Sequence, residues 1–144
     1  MTVADPLENA FNDCLLMNTI RTARILTRRY DNRIRSFGVT VVQFSVLMTI
    51  RRHPDEAINA LAGRIAMERS TLTRNVDVLV RKGLVKKQSS GRGNAKVCRL
   101  TADGERLLDD LIPYWSAARQ ELRTRLGDTN GDDLLRFLRA MGNG

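Results

Sequence analysis

The stretch RIAMERSTLTRNVDVLVRKGLVKKQSSGRGNAKVCR, residues Arg64 to Arg99, decides how this chain is read. Ser70 is a strong helix cap, and after it Leu72, Val76, Leu79 and Val80 recur at helical spacing, predicting a helix over about Ser70–Arg81. Thr71, Thr73, Arg74 and Asp77 share much of its other side. Gly83 supplies the left-handed residue that ends it. Leu84–Ser89 and Lys96–Leu100 then read as two strands around a flexible tip, Ser90-Gly91-Arg92-Gly93-Asn94. The window holds ten basic side chains (Arg64, Arg69, Arg74, Arg81, Lys82, Lys86, Lys87, Arg92, Lys96, Arg99) against two acids, Glu68 and Asp77. That excess of eight equals the formal +8 of the whole chain, and the remainder holds fourteen residues of each sign. So concentrated a cationic face attracts a polyanion, and counterion release favours DNA.

Upstream, a short helix from about Ile58 to Ala66 turns Leu61, Ala62 and Ile65 inward, and a turn at Met67-Glu68-Arg69 joins it to the next. Two short helices around a tight turn, the second opening on small hydroxyl residues, suit insertion into the major groove. Ser70 and Thr71 let the positive end of the helix come close to phosphate. Thr73 can hydrogen-bond or touch a thymine methyl. Arg74 can fork onto guanine or clamp a phosphate, and Arg69 reaches backbone phosphate. At the tip, Arg92 between two glycines suits the minor groove, with Lys86, Lys87 and Lys96 beside the phosphates.

Further out, Thr40 caps a helix Val41–Arg52 that ends before His53-Pro54. Leu7 to about Ser36 reads as one long helix with two apolar lines. A dimer partner or ordinary burial would each account for the second line. Thr101 opens a helix through about Leu126 with Pro113 inside it, where a kink is expected. Gly127 separates it from a final short helix. The order is mainly α with one small β-hairpin, in a chain of 144 residues that forms a single domain.

Composition excludes several classes. At 42% hydrophobic and 28% charged the chain is neither disordered nor membrane-embedded. The N-terminus lacks a signal-peptide pattern, so a cytoplasmic location is expected. Cys14, Cys98 and the lone His53 cannot supply the roughly four N/S ligands of a closed zinc site, so neither metal nor cofactor is expected. Aromatics at 5% are too few for a single-strand stacking surface. One histidine, no nucleophile motif and no phosphate loop leave no enzyme chemistry.

Ala60-Leu61-Ala62, Arg69-Ser70-Thr71-Leu72-Thr73-Arg74-Asn75, Lys82-Gly83-Leu84-Val85 and Arg99-Leu100-Thr101-Ala102-Asp103-Gly104 together resemble the MarR family of bacterial winged-helix transcription regulators. The likeness extends through Leu26–Asp31, Val39–Phe44 and Pro113-Tyr114-Trp115. It implies a winged helix-turn-helix lobe over residues 40–101 and interlocking dimerisation helices over 1–36 and 102–144. It further implies a homodimeric repressor on a pseudo-palindromic duplex, released by a small aromatic or phenolic ligand held between the terminal helices and the lobe. Two departures stand out. Relatives often carry an aspartate orienting the wing arginine, absent around Arg92, and a good helix former where this chain has Gly63. One branch senses oxidants through a cysteine near the position of Cys14, which makes redox control through Cys14 an alternative. A winged helix docking on an acidic protein is another.

Overall fold

A computed structural model describes residues 5–143 apart from Arg92. The elements are α1 (Pro6–Asn12), α2 (Leu15–Ile34), a 3-10 turn (Arg35–Phe37), α3 (Val41–Arg52), α4 (Ile58–Arg64), α5 (Arg69–Arg81), β1 (Val85–Ser89), β2 (Lys96–Leu100), α6 (Ala102–Leu126) and α7 (Asp128–Gly142). The mainly helical architecture with one antiparallel hairpin is the one expected. No helix among the described residues is long and apolar enough to cross a membrane.

The core lies where α3, α4, α5, the hairpin and α6 meet. Leu47, Ile50, Leu61, Leu72, Leu79 and Leu108 are fully buried there, and Val85 and Cys98 close it from the hairpin side. Each buried aliphatic side chain of this size contributes on the order of 1.5–3 kcal/mol. A capping box fixes the start of α3. The Gln43 N–H donates to Thr40 Oγ1 at 3.2 Å, and the Thr40 N–H donates to Gln43 Oε1 at 3.2 Å.

Three helix boundaries differ from expectation. The single long first helix is two, broken at Asp13 and Cys14. Asn18 stabilises the break, its Nδ2 donating to the carbonyls of Asn12 at 2.8 Å and Cys14 at 3.0 Å. The apolar line from Phe11 to Leu15 runs across the break, so periodicity alone does not register it. At its other end α2 tightens into the 3-10 turn, closed by Gly38 at φ 72°. The helix starting at Ile58 ends at Arg64, because Ala66 adopts φ 49°, a left-handed conformation uncommon outside glycine.

The third difference concerns Ser70, which is not a cap. Helix α5 begins at Arg69 with Glu68 in the capping position, and Glu68 makes no side-chain cap bond. The tight turn through Ala66, with the Met67 N–H bonded to Ala62 O at 3.0 Å, leaves too few residues to delay the helix to Ser70.

Pro113 lies inside α6, which runs through it as one helix. At the start of α6 the Thr101 hydroxyl donates to Gly83 O at 2.6 Å and accepts from the Gly104 N–H at 3.1 Å. Gly104 is required there: a Cβ would stand 2.1 Å from the carbonyl oxygen of Leu84.

Candidate nucleic-acid interface

Helix α5 packs Leu72, Val76 and Leu79 into the core and turns Arg69, Ser70 and Arg74 to solvent, with Thr71 and Thr73 half-buried beside them. Side chains within this helix organise its outer face. Thr73 Oγ1 donates to Arg69 O at 2.9 Å, and Asn75 Nδ2 donates to Thr71 O at 2.9 Å. Arg74 Nη2 leans on Thr71 Oγ1 at 3.4 Å, which holds the guanidinium over the first turn. With no side-chain cap from Glu68, the first-turn N–H groups lack a side-chain acceptor, the arrangement that favours an anion at a helix N-terminus.

The hairpin follows. Its register pairs Val85 with Leu100, Lys86 with Arg99, Lys87 with Cys98, Gln88 with Val97 and Ser89 with Lys96. A single antiparallel bridge from Ala57 to Val97 lays the segment before α4 against β2, so the hairpin is tied to the lobe. The Ser90 N–H donates to Ala95 O at 3.0 Å, and Gly91 and Gly93 take φ of 70° and 67° on either side of the tip. Arg92, expected in the minor groove, lies outside the described residues.

Of the nine described cations of the window, four already hold a partner elsewhere in the chain. Arg64 forks onto Glu56, its Nε donating to Oε2 at 2.6 Å, and Arg99 pairs with Asp55. Lys87 pairs with Asp77, and Lys82 donates to the Gly38 carbonyl. Asp55 and Glu56 lie just outside the window, so counting charge inside it overstates the local field. Among the described residues Arg69, Arg81, Lys86 and Lys96 are exposed and make no ion pair. The structure therefore brings Arg69, Ser70, Thr71, Thr73 and Arg74 together on α5 and sets Lys86 and Lys96 on the hairpin. It gives Lys87 an intramolecular carboxylate instead of open solvent. The Arg64 guanidinium holds the Glu56 carboxyl below the usual carboxylate range, and Arg64 is raised in return.

Cys14 is half-buried at the capping position of α2. Cys98 is buried under the hairpin, and burial pushes its thiol up, away from the reactive thiolate.

Between α2, α3 and α6 lies a small cavity of about 10 Å³, lined by Tyr30, Arg33, Phe44, Leu111, Tyr114 and Trp115 among others. That volume holds no more than about one water. Tyr114 of its wall packs edge to face on Phe37 at 5.1 Å, and Arg33, also in the wall, pairs with Glu121. Sequence periodicity missed this feature because its walls come from three separate helices.

A MarR-family model matches residues 37–93. The transcriptional regulator MosR of Mycobacterium tuberculosis is 34% identical over 94% of this chain and 100% of its own, with a TM-score of 0.80. The same regulator solved in complex with DNA is 33% identical over 91% of this chain and 98% of its own, with a TM-score of 0.77. The regulator PcaV of Streptomyces coelicolor, solved with its natural ligand, has a TM-score of 0.81 at 20% identity. It covers 100% of this chain and 99% of its own, and at that identity bears on the fold alone. With a close match in sequence along nearly its whole length and the same winged helix-turn-helix architecture, this chain belongs to the MarR family of transcription regulators.

Proposed function

We propose that this protein is a sequence-specific regulator that binds double-stranded DNA as a homodimeric repressor and is released by a small aromatic ligand. The observation that carries the reading is the first turn of α5. It offers uncapped N–H groups, two small hydroxyl residues and an outward Arg74 on the face where unpaired cations gather. MosR, similar along nearly the whole chain, has been solved on DNA. In this reading Ser70, Thr71, Thr73 and Arg74 enter the major groove. Arg69, Lys86, Lys87 and Lys96 face phosphates, Lys87 after exchanging Asp77 for the duplex. Arg92 is assigned to the minor groove.

Residues 40–101 would form the DNA-binding lobe, with the helices on either side dimerising. Leu7, Phe11, Leu15 and Leu16 at one end, and Leu134, Leu135, Phe137, Leu138 and Met141 at the other, are exposed apolar side chains suited to covering by a second copy. The aromatic cavity with Arg33 in its wall is the place for an effector. Entry requires α2 and α6 to part, which couples ligand binding to the spacing of the two lobes.

Fluorescence anisotropy with DNA from upstream of its own gene, across a salt series, tests the reading. Each phosphate contact contributes about 0.9 to the log–log slope. Arg74→Ala should cost roughly 1–3 kcal/mol and relax base preference. A flat salt response, or affinity untouched by Arg74→Ala, would instead favour a protein-docking winged helix.

A further inference from the structure

Charge neutrality outside Arg64–Arg99 conceals a second cationic region. Between residues 15 and 38 stand Arg21, Arg24, Arg28, Arg29, Arg33 and Arg35 against a single acid, Asp31. The balancing acids sit mostly on α6 and α7, where Asp103, Asp132 and Asp133 are already paired with Arg106, Arg123 and Arg136. Arg33 is neutralised by Glu121, and Arg35 donates to Asn32. Arg21, Arg24 and Arg28 are exposed and make no ion pair among the described residues. Asp31 makes no ion pair with them, and its Oδ1 accepts from the Val41 N–H at 2.6 Å.

At 3.6 residues per turn these three arginines fall within about 60° of one another, on the side of α2 opposite Leu26 and Tyr30. Like charges at such spacing repel along a helix, so an anion set against the ridge relieves it. It spans about 10 Å along the helix, long enough to reach more than one phosphate of a strand that carries a charge for about every 3.4 Å of duplex axis. Beside it lies an open depression of about 450 Å³ lined by Ala23, Arg24, Thr27, Arg28 and Asp31, whose small residues leave room for a sugar-phosphate chain. The ridge is also fixed to the lobe that carries α5. Asp31 holds the start of α3, and Lys82 at the end of α5 holds the Gly38 carbonyl.

We infer that Arg21, Arg24 and Arg28 of α2 form a phosphate clamp on the same duplex that α5 enters, a contact resting on the DNA-binding reading above. Backbone phosphate is favoured over an acidic protein because the match is to a regularly spaced linear polyanion, already brought to this rigid lobe by α5. The clamp adds affinity without base preference.

The test is the anisotropy titration, over a salt series, of the full-length protein on two labelled duplexes, one from upstream of its own coding sequence and one unrelated. Replacing all three arginines by glutamine should weaken both duplexes by about ten-fold or more at low salt and lower the slope by about 0.9 per lost contact. Replacing all three by lysine should restore most of both. Arg24→Gln alone should lower the slope by about 0.9, and it reports the same contact if the triple variant folds poorly. Unchanged affinity and slope, with Arg74→Ala still impaired, overturn the clamp and leave an acidic protein as the ridge's partner. A triple variant that sediments as a monomer overturns it too, by assigning the ridge to an interface between copies. If the wild-type protein binds neither duplex, the DNA-binding reading itself fails.

Discussion

Leu47, Ile50, Leu72 and Leu79 are sealed from solvent, while Leu7 and Leu15, no less apolar, are each 75% exposed, and Phe137 and Leu138 at the other end of the chain also stand open. The first set belongs to the lobe that presents α5, and the second to the helices at the two ends of the chain. The lobe closes its core together with its neighbours, Leu108 and Leu111 of α6 and Ile34 of α2 being buried in the same cluster. The terminal helices satisfy their backbones but leave an apolar side uncovered, at roughly 25 cal/mol for every Å² that stays wet. The finished burial therefore surrounds α5, and the unfinished burial lies at the two ends of the chain.

The sharpest way to break that contrast is to open the lobe. Leu79→Ala should lower stability by about 2–5 kcal/mol, read as a shifted urea midpoint, and a loss below about 1 kcal/mol would mean the lobe is not the stable unit. At the other end, Phe137→Glu combined with Leu138→Glu should weaken association by at least about 2 kcal/mol. Sedimentation should then report the monomer mass with helical circular dichroism retained. A dimer that survives would show that this face is not the interface. Thr40→Ala removes half of the capping box and should cost about 1 kcal/mol of lobe stability without changing the oligomer.

The smallest effect is in acid. Because the Glu56 carboxyl is lower when folded than its ordinary value, its ion pair with Arg64 contributes fully above the ordinary carboxylate range. That contribution is lost as pH falls through the lowered value. Glu56→Gln should flatten this acid limb and leave neutral behaviour near that of the parent, as acid titration followed by circular dichroism would show.

Features carried by local rules were legible in the sequence. Thr40 and Thr101 cap the helices they precede, Gly38 and Gly83 take the left-handed turns, and Ser90, Gly91, Gly93 and Asn94 lie between the two strands. The misreadings arose where a local rule met a longer-range constraint. Ser70 is a good cap by residue type, yet the turn through Ala66 starts the helix before it. The line Phe11–Leu15 looks continuous, yet Asn18 draws the freed carbonyls together and breaks it.

Of the interface, the α5 residues were legible because helical spacing alone puts them on one face. The state of the cations was not. The pairs Arg99–Asp55, Arg64–Glu56 and Lys87–Asp77 join different elements, and the fold alone brings them together. The Arg21–Arg24–Arg28 ridge was hidden for a related reason, since a net charge summed over the remainder averages it against distant acids.

The close seat of Gly104 on the Leu84 carbonyl has a mechanical meaning. Helix α6, 25 residues and about 37 Å long, is bolted at its first turn to the entry of the hairpin and at its far end leads directly into α7. A tilt of about 5° in a rod of that length carries its tip through about 3 Å. Pro113 removes one rung of the helix ladder midway along, next to the Tyr114 and Trp115 contacts with Phe37 and Phe44. The rod thus has a fixed foot at the hairpin and, midway along, a place where its backbone ladder is one bond short.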